Sequence, residues 1–314
     1  MSLHSERLRR LFAPPVGPVL GLVSLIAANL LFTPAFASGS TLRNVLLQVA
    51  PTMLVATGMT FVIASGGIDL SVGSTMAIAS AVAATELQHG AAFAFALGLF
   101  AGAAVGLLNG AATAFGGVQP IIVTLATLIA GRGVAQVISE GGQLISFSNP
   151  AFQSLGQGSI GPVPNQISVM SFALLAGFVV LRFTTFGRYV LAVGGSQRAA
   201  RLAGVQVRGT KTAVYCISGI GAALAGLIET ARLGASDAAR VGLNVELDAI
   251  SAVVIGGTAL QGGTATIVGT AAGALIIQTV MTAFNMLSVP FSWSLFVKAT
   301  VILAVVWLHR PRAA

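Results

Sequence analysis

The sequence predicts an all-α, polytopic membrane protein, and three observations carry that prediction. Mean hydropathy is +0.92. Charged residues make up 8% of the chain, against roughly 25% in soluble globular proteins. Apolar runs of about 20 residues recur along it, the length that crosses a hydrocarbon core of roughly 30 Å. A β-barrel would instead alternate polar and apolar positions over segments of about 10 residues. The 38 glycines suit helices that approach closely in lipid, where small residues become the packing device.

Residues 1–314 read as a single transmembrane domain of about ten spans. These fall near 16–37, 45–64, 70–87, 92–114, 120–139, 166–184, 212–233, 246–260, 265–287 and 293–309. The first follows Arg7, Arg9 and Arg10 and ends in Ala35, Phe36 and Ala37, which imitates a cleavable signal peptide. Its apolar region is longer than a signal core, so it reads as an uncleaved span. The third and eighth are short and glycine-rich at one end. Glu140 to Gln166, polar and carrying Pro150, Pro162 and Pro164, is the longest outward loop and a candidate rim for a delivery protein. An even span count puts both termini on one side, together with the basic segment about 184–211. The opposite side holds Arg43, Arg232 and Arg240, so the positive-inside rule places both termini and the basic segment in the cytoplasm.

The two halves resemble one another. Gly102, Gly106, Thr113–Phe115 and Pro120 align with Gly269, Gly273, Thr282–Phe284 and Pro290, in the fourth and ninth spans. Those spans run in opposite directions. An inverted repeat is expected, the arrangement by which many transporters build a pathway near the midplane.

Polar groups inside the apolar runs mark candidate pathway residues. SGGIDLSVG at 65–73 breaks a span with two glycines and an acid. Unwound backbone cannot face lipid, so the break is buried in protein or lines a wet cavity. Asp69 is placed to contact a hydroxylated solute or to cap the next helix with Ser71 in support. NVELD at 244–248 opens the eighth span, where Asn244 suits a cap and Glu246 and Asp248 suit a positive helix end. Short broken helices are therefore expected near Asp69 and Asp248. Asn109, Gln119, Arg132, Glu229 and Lys298 are further polar groups in or near spans, of which Asn109 joins the pathway set. No catalytic constellation is present. A single cysteine, Cys216, and scattered His4, His89 and His309 argue against a metal site. The net charge of +8 lies between spans without interleaved aromatics, which argues against nucleic acid.

The basic segment reads as a docking element. Arg188, Arg198, Arg201, Arg208 and Lys211 stand among small residues, with no acid from Thr184 to Lys211. Ser196 suits an N-cap and Gly204 a C-cap for a short helix over 197–203. Arg198 and Arg201 share its face, and Ala199 and Ala200 leave room for a groove. Such a tethered helix suits a permease driven by a soluble motor. The string from Gly204 to Thr212 imitates a phosphate-binding loop, but Thr210 stands where lysine must follow the second glycine, and no strand feeds it. Energy comes from a partner chain or an ion gradient.

Four strings carry a family resemblance: GMTFVIASGGIDLSVGS at 58–74, PIIVTLATLIAGRG at 120–133, FGRYVLAVGGSQRAARLAGVQV at 186–207 and ELDAISAVVIGGTALQGGTATIVGTAAGALI at 246–276. Together they resemble the permease subunits of ABC-type importers of the ribose/xylose/arabinose/galactose group. The resemblance implies a ten-helix permease of the bacterial cytoplasmic (inner) membrane, working with a second copy or a paralogue among membrane lipid. It implies a cytoplasmic ABC ATPase subunit holding ATP and Mg, a periplasmic or extracellular sugar-binding protein, and no cofactor on this chain. Gly187, Arg188, Ala192, Gly194, Ala199, Ala200 and Gly204 match the family's coupling segment. Ser196 stands where the family often has Asn, and Gln197 where an acid is frequent, which bears on the choice of ATPase partner. Two alternatives remain open: an ion-coupled secondary transporter gated through Asp69 or Asp248, and an ABC importer of nucleosides.

Overall fold

The computed structural model describes residues 16–290 together with Trp293, Phe296, Ala299 and Thr300. The arginines at 7–10, His4, Lys298, His309, Arg310, Arg312 and most of the expected tenth span lie outside the described residues. Twelve α-helices stand among those described. Helix α1 is Val16–Phe32, α2 Gly39–Ala64, α3 Val72–Glu86, α4 Ala91–Ala114 and α5 Pro120–Ile138. An outer layer of α6 (Pro150–Gln157) and short strands precedes α7, Asn165–Phe183. Then come α8 (Thr185–Gly195), α9 (Gln197–Leu202), α10 (Val207–Leu233), α11 (Val245–Ile255) and α12 (Ile267–Met286).

Six of these are long and apolar enough to cross a membrane: α2, α4, α5, α7, α10 and α12. Burial orders them into layers. The most apolar stretch of α2 is 78% buried and that of α10 56%, whereas α4 and α7 reach 22% and α5 17%. Helices α2 and α10 therefore form the centre with α12, at 50%, beside them, and α4, α5 and α7 turn apolar faces such as Phe100, Leu108, Ile129 and Phe172 outward. The central helices bury Val49, Met53, Met59, Ile63, Ala222 and Ile228 against one another and against α3 and α11.

Helices α3 and α11 are short, 15 and 11 residues; α3 is almost wholly buried, and α11 is buried apart from Ile250 and much of its first turn. Their shortness follows from the breaks before and after them. Helix α3 packs on α4, α5 and α10, while α11 packs on α2 and α12. Close approach depends on glycine. A Cβ on Gly106 would meet backbone of Tyr215 and Cys216 in α10, and one on Gly273 would meet Ala252 in α11. Gly102 and Gly269 likewise face α10 and α11, so neither glycine pair faces lipid.

Several element bounds differ from the sequence reading. Helix α10 begins at Val207, absorbing the last turn of the expected basic loop, because Thr210 and Lys211 are buried against neighbouring helices. The 140–166 segment is not a bare loop. Asn149 caps α6 by accepting the Phe152 N–H at 3.1 Å, and Pro150 occupies its first turn. Strands β1 (Ile145–Ser146) and β4 (Ala235–Ser236) pair antiparallel, with Ile145 opposite Ser236. Strands β2 (Ser159–Ile160) and β3 (Val163–Pro164) make a small hairpin. Gln157 Nε2 donates to the Arg232 carbonyl at 3.0 Å, so this layer is clamped to the end of α10. Strands too short to show alternation carry no sequence signal.

Candidate functional site

The break between α2 and α3 is built from the glycines that end α2. Gly66 takes φ +81°, a left-handed conformation that glycine adopts without strain. The chain then runs through Ile68 and Asp69 into α3. Asp69 is 1% exposed. Its Oδ1 accepts the Ser71 N–H at 3.0 Å and the Ser71 hydroxyl at 2.6 Å, and its Oδ2 accepts the Ser218 hydroxyl of α10 at 2.8 Å. Asn109 of α4 donates from Nδ2 to Ser71 Oγ at 2.8 Å, and Thr127 of α5 donates to Asn109 Oδ1 at 2.6 Å. Tyr215 of α10 donates to the Ile68 carbonyl at 3.3 Å.

Three of the expected pathway residues, Asp69, Ser71 and Asn109, are thus joined in one chain linking α3, α4, α5 and α10. Asp69 is not the side-chain N-cap expected. It folds the turn two residues before the cap, and Ser71 occupies the cap position without a side-chain cap bond. The carboxylate's acceptor capacity is met internally by three donors. In this conformation it orders the backbone that leads into α3. Sequence reasoning missed Ser218, Thr127 and Tyr215. Hydroxyls within apolar helices are the signal that points to them, because an unpaired hydroxyl buried away from water is costly.

Glu246 and Asp248 stand apart from this cluster, in the first turn of α11. Glu246 is buried, its Oε2 without a protein hydrogen-bond partner among the described residues, beside Gly73 of α3. Asp248 is half-buried. Asn244 does not cap by its side chain. It takes φ +61° and makes no cap bond, because the chain reverses there out of the tight 237–243 turns. Arg132 of α5 holds those turns, donating from Nη1 to the carbonyls of Ala238 at 3.0 Å and Val241 at 2.7 Å. The same group lies within electrostatic reach of Glu246 and Asp237.

The basic segment forms a second constellation. Thr184 caps α8 by accepting the Gly187 N–H at 3.2 Å, and Gly187 sits where a Cβ would strike the backbone of Val180 and Leu181. Gly187 therefore shapes the α7–α8 corner. Ser196 caps α9, accepting the Ala199 N–H at 3.2 Å. At the other end Gly204 takes φ +82°. Its N–H reaches the Arg201 carbonyl at 3.1 Å, and the Val205 N–H reaches the Ala200 carbonyl at 3.0 Å. This is the glycine-terminated helix end the sequence called for. Ala200 departs from expectation. It is 4% exposed and packs with Val193 and Val207, so it anchors α9 to the body and opens no groove. Arg198, Ala199 and Arg201 face outward with Leu202, which is 85% exposed. Arg188 is exposed at the start of α8.

Backbone joins the two constellations. Gly194, at the end of α8, lies so close to Ala64 and Gly263 that a Cβ would overlap both. The Gly263 N–H donates to the Ala64 carbonyl at 2.9 Å. The end of α2, the basic segment and the loop after α11 therefore meet at one glycine junction, a few residues from Asp69. Among the described residues no group of three or more histidine, cysteine, aspartate or glutamate side chains is placed to hold a metal.

Residues 41–306 match the family described as branched-chain amino acid transport system / permease component. The chain is 41% identical over 304 residues to the ribose import permease protein of Bacillus subtilis, covering 95% of this chain and 94% of that one. It is 41% identical to the galactofuranose transporter permease protein of Escherichia coli, over 86% of this chain and 79% of that one. With the L-arabinose ABC transporter permease protein of Azospirillum brasilense it shares 37%, over 94% and 87%. No solved structure matches it.

Proposed function

This chain belongs to the branched-chain amino acid transport system / permease component family, and from its sugar-permease relatives we propose that it moves a monosaccharide inward across the bacterial cytoplasmic membrane. It is the permease subunit of an ATP-binding-cassette importer; ATP and Mg bind a separate ATPase subunit. The relatives' names carry ribose, galactofuranose and L-arabinose, which supports a sugar over a nucleoside as solute. The observation that carries the mechanism is α9. It is a two-turn helix capped at both ends, anchored through Ala200 and outward-facing through Arg198, Ala199, Arg201 and Leu202. It docks on the ATPase subunit, and the glycine junction at Ala64, Gly194 and Gly263 passes its movement to the α2–α3 break.

Ten spans complete the reading: α1, α2, α3, α4, α5, α7, α10, α11, α12 and the tenth expected from the apolar run near 293–309. Both termini and α9 are cytoplasmic, supported by Arg182, Arg188, Arg198, Arg201, Arg208 and Lys211 on that side. Exchange of α3 with α11, α4 with α12 and α2 with α10 maps several packed pairs onto one another, which supports an inverted repeat. The two glycine pairs meet non-equivalent partners, α10 and α11, so the repeat rests on helix order. The breaks at Asp69 and Glu246 then fall on opposite sides of a shared pathway, with Asp248 beside the outer one. The outer layer of α6 and its hairpin receives the sugar-binding protein, and a second copy or paralogue completes the dimer. The network around Asp69 disfavours an ion-coupled cycle gated through that residue, because such a cycle needs an acid that exchanges its partners.

The test is ATP hydrolysis by the reconstituted complex with its binding protein, surveyed over pentoses, hexoses and nucleosides. Stimulation by one monosaccharide supports the assignment. Stimulation by a nucleoside alone would overturn its substrate half.

A further inference from the structure

A crevice of about 580 Å³ opens where the end of α7, the start of α8 and the start of α12 converge. Phe178, Leu181, Leu191, Ile267 and Val268 make its apolar wall, and Arg182 and Arg188 stand at its rim. No acidic side chain lines it. Among the described residues neither guanidinium forms an ion pair with a carboxylate. The apolar wall continues along α7 through the exposed Leu175, Val179 and Phe183, which places the mouth of the crevice at the membrane face.

An apolar slot that opens to lipid and ends at two uncompensated guanidiniums has the amphipathic order of a phospholipid. We propose that the crevice binds an anionic glycerophospholipid, its phosphodiester held by Arg182 and Arg188 and its upper acyl segment along Phe178, Ile267 and Val268. Guanidinium matches phosphate oxygens with paired N–H donors, and its weaker hydration makes the exchange of water for phosphate cheaper than for lysine. Anionic lipid in the cytoplasmic leaflet already draws basic groups to that surface. Assignment to that leaflet rests on the orientation proposed above, but the binding itself does not. The site lies one helix turn from the α7–α8 corner, so bound lipid braces the element from which the coupling segment departs.

The probe is phosphatidylglycerol, compared with phosphatidylcholine, on the purified full chain in nonionic detergent, read by native mass spectrometry of retained lipid. The native chain retains phosphatidylglycerol at least severalfold over phosphatidylcholine. Combined Arg182→Gln and Arg188→Gln removes that preference. Val268→Trp, which fills the slot and leaves both charges, lowers retention of either lipid. If the double variant does not fold, Arg182→Gln alone carries the test, with a twofold or larger loss of preference expected. Unchanged preference in a folded arginine variant would overturn the site. So would displacement of the lipid by millimolar inorganic phosphate, which would make it a free-phosphate site. Loss of phosphatidylglycerol on addition of the ATPase subunit would overturn it too, by assigning the crevice to that partner.

Discussion

Substitution at Asp69 separates the charge of this residue from its role as an acceptor. Alanine would strand the Ser71 N–H and the hydroxyls of Ser71 and Ser218, which now reach the carboxylate at 3.0, 2.6 and 2.8 Å. A buried donor left unpaired costs about 1–3 kcal/mol. The two hydroxyls can rotate toward nearby carbonyls, so the loss falls near the lower end of the summed range, about 3–4 kcal/mol. Asparagine behaves differently. Its Oδ1 keeps both Ser71 bonds, and its Nδ2 donates to Ser218 once that hydroxyl turns round. Conversion of charge-assisted bonds to neutral ones weakens each, but the desolvation of a buried charge is relieved, leaving a net loss of about 1 kcal/mol or less. Cys216, the single cysteine, allows unfolding to be followed by reaction with a fluorogenic maleimide. At about 2–4 °C per kcal/mol or a little less for a chain this size, alanine should lower the midpoint by roughly 5–10 °C and asparagine by about 2 °C or less. An asparagine variant as unstable as the alanine variant would refute the reasoning, because it would show that the charge itself is required.

Three further outcomes follow from the packing. Leu202→Asp should leave the unfolding midpoint unchanged and reduce binding-protein-stimulated ATP hydrolysis severalfold; Ala200→Trp should instead destabilise the segment itself by about 1–3 kcal/mol, through overpacking against Val193 and Val207. Normal stimulation in Leu202→Asp would remove α9 from the coupling path. Gly106→Leu and Gly273→Leu should both sharply lower the yield of monodisperse protein, whereas Gly133→Leu, whose Cβ would meet nothing within 4 Å, should match the native yield. Equal yields from all three would contradict the helix contacts described. Arg132→Met should raise amide exchange in residues 237–243 about tenfold or more, because each lost charged hydrogen bond to a carbonyl there is worth about 1.5–3 kcal/mol; native protection in that variant would assign the loop's order to other contacts.

Hydropathy and charge made the helical membrane class and the basic segment legible, because both reflect what water and lipid each exclude. Caps were equally readable at Ser196 and Gly204, where one residue meets a local demand of the backbone. Ala200 was misjudged, because which face of a two-turn helix points inward depends on Val193 and Val207, outside the helix. Asp69 was recognised as special, but its partner Ser218 lies 149 positions away and no local pattern links them. The 140–166 segment was recognised only as a loop, because its strands are two residues long and α6 only eight. Asn244 failed as a cap for a related reason. Its conformation is set by the turns that Arg132 holds from another helix.

Uptake of labelled monosaccharide into proteoliposomes containing this chain, its ATPase subunit and its binding protein tests the central claim most directly. The account predicts that uptake requires ATP on the side bearing α9, continues when an uncoupler collapses ion gradients, and fails in Leu202→Asp. Uptake by this chain alone that follows an ion gradient and ignores ATP would contradict it.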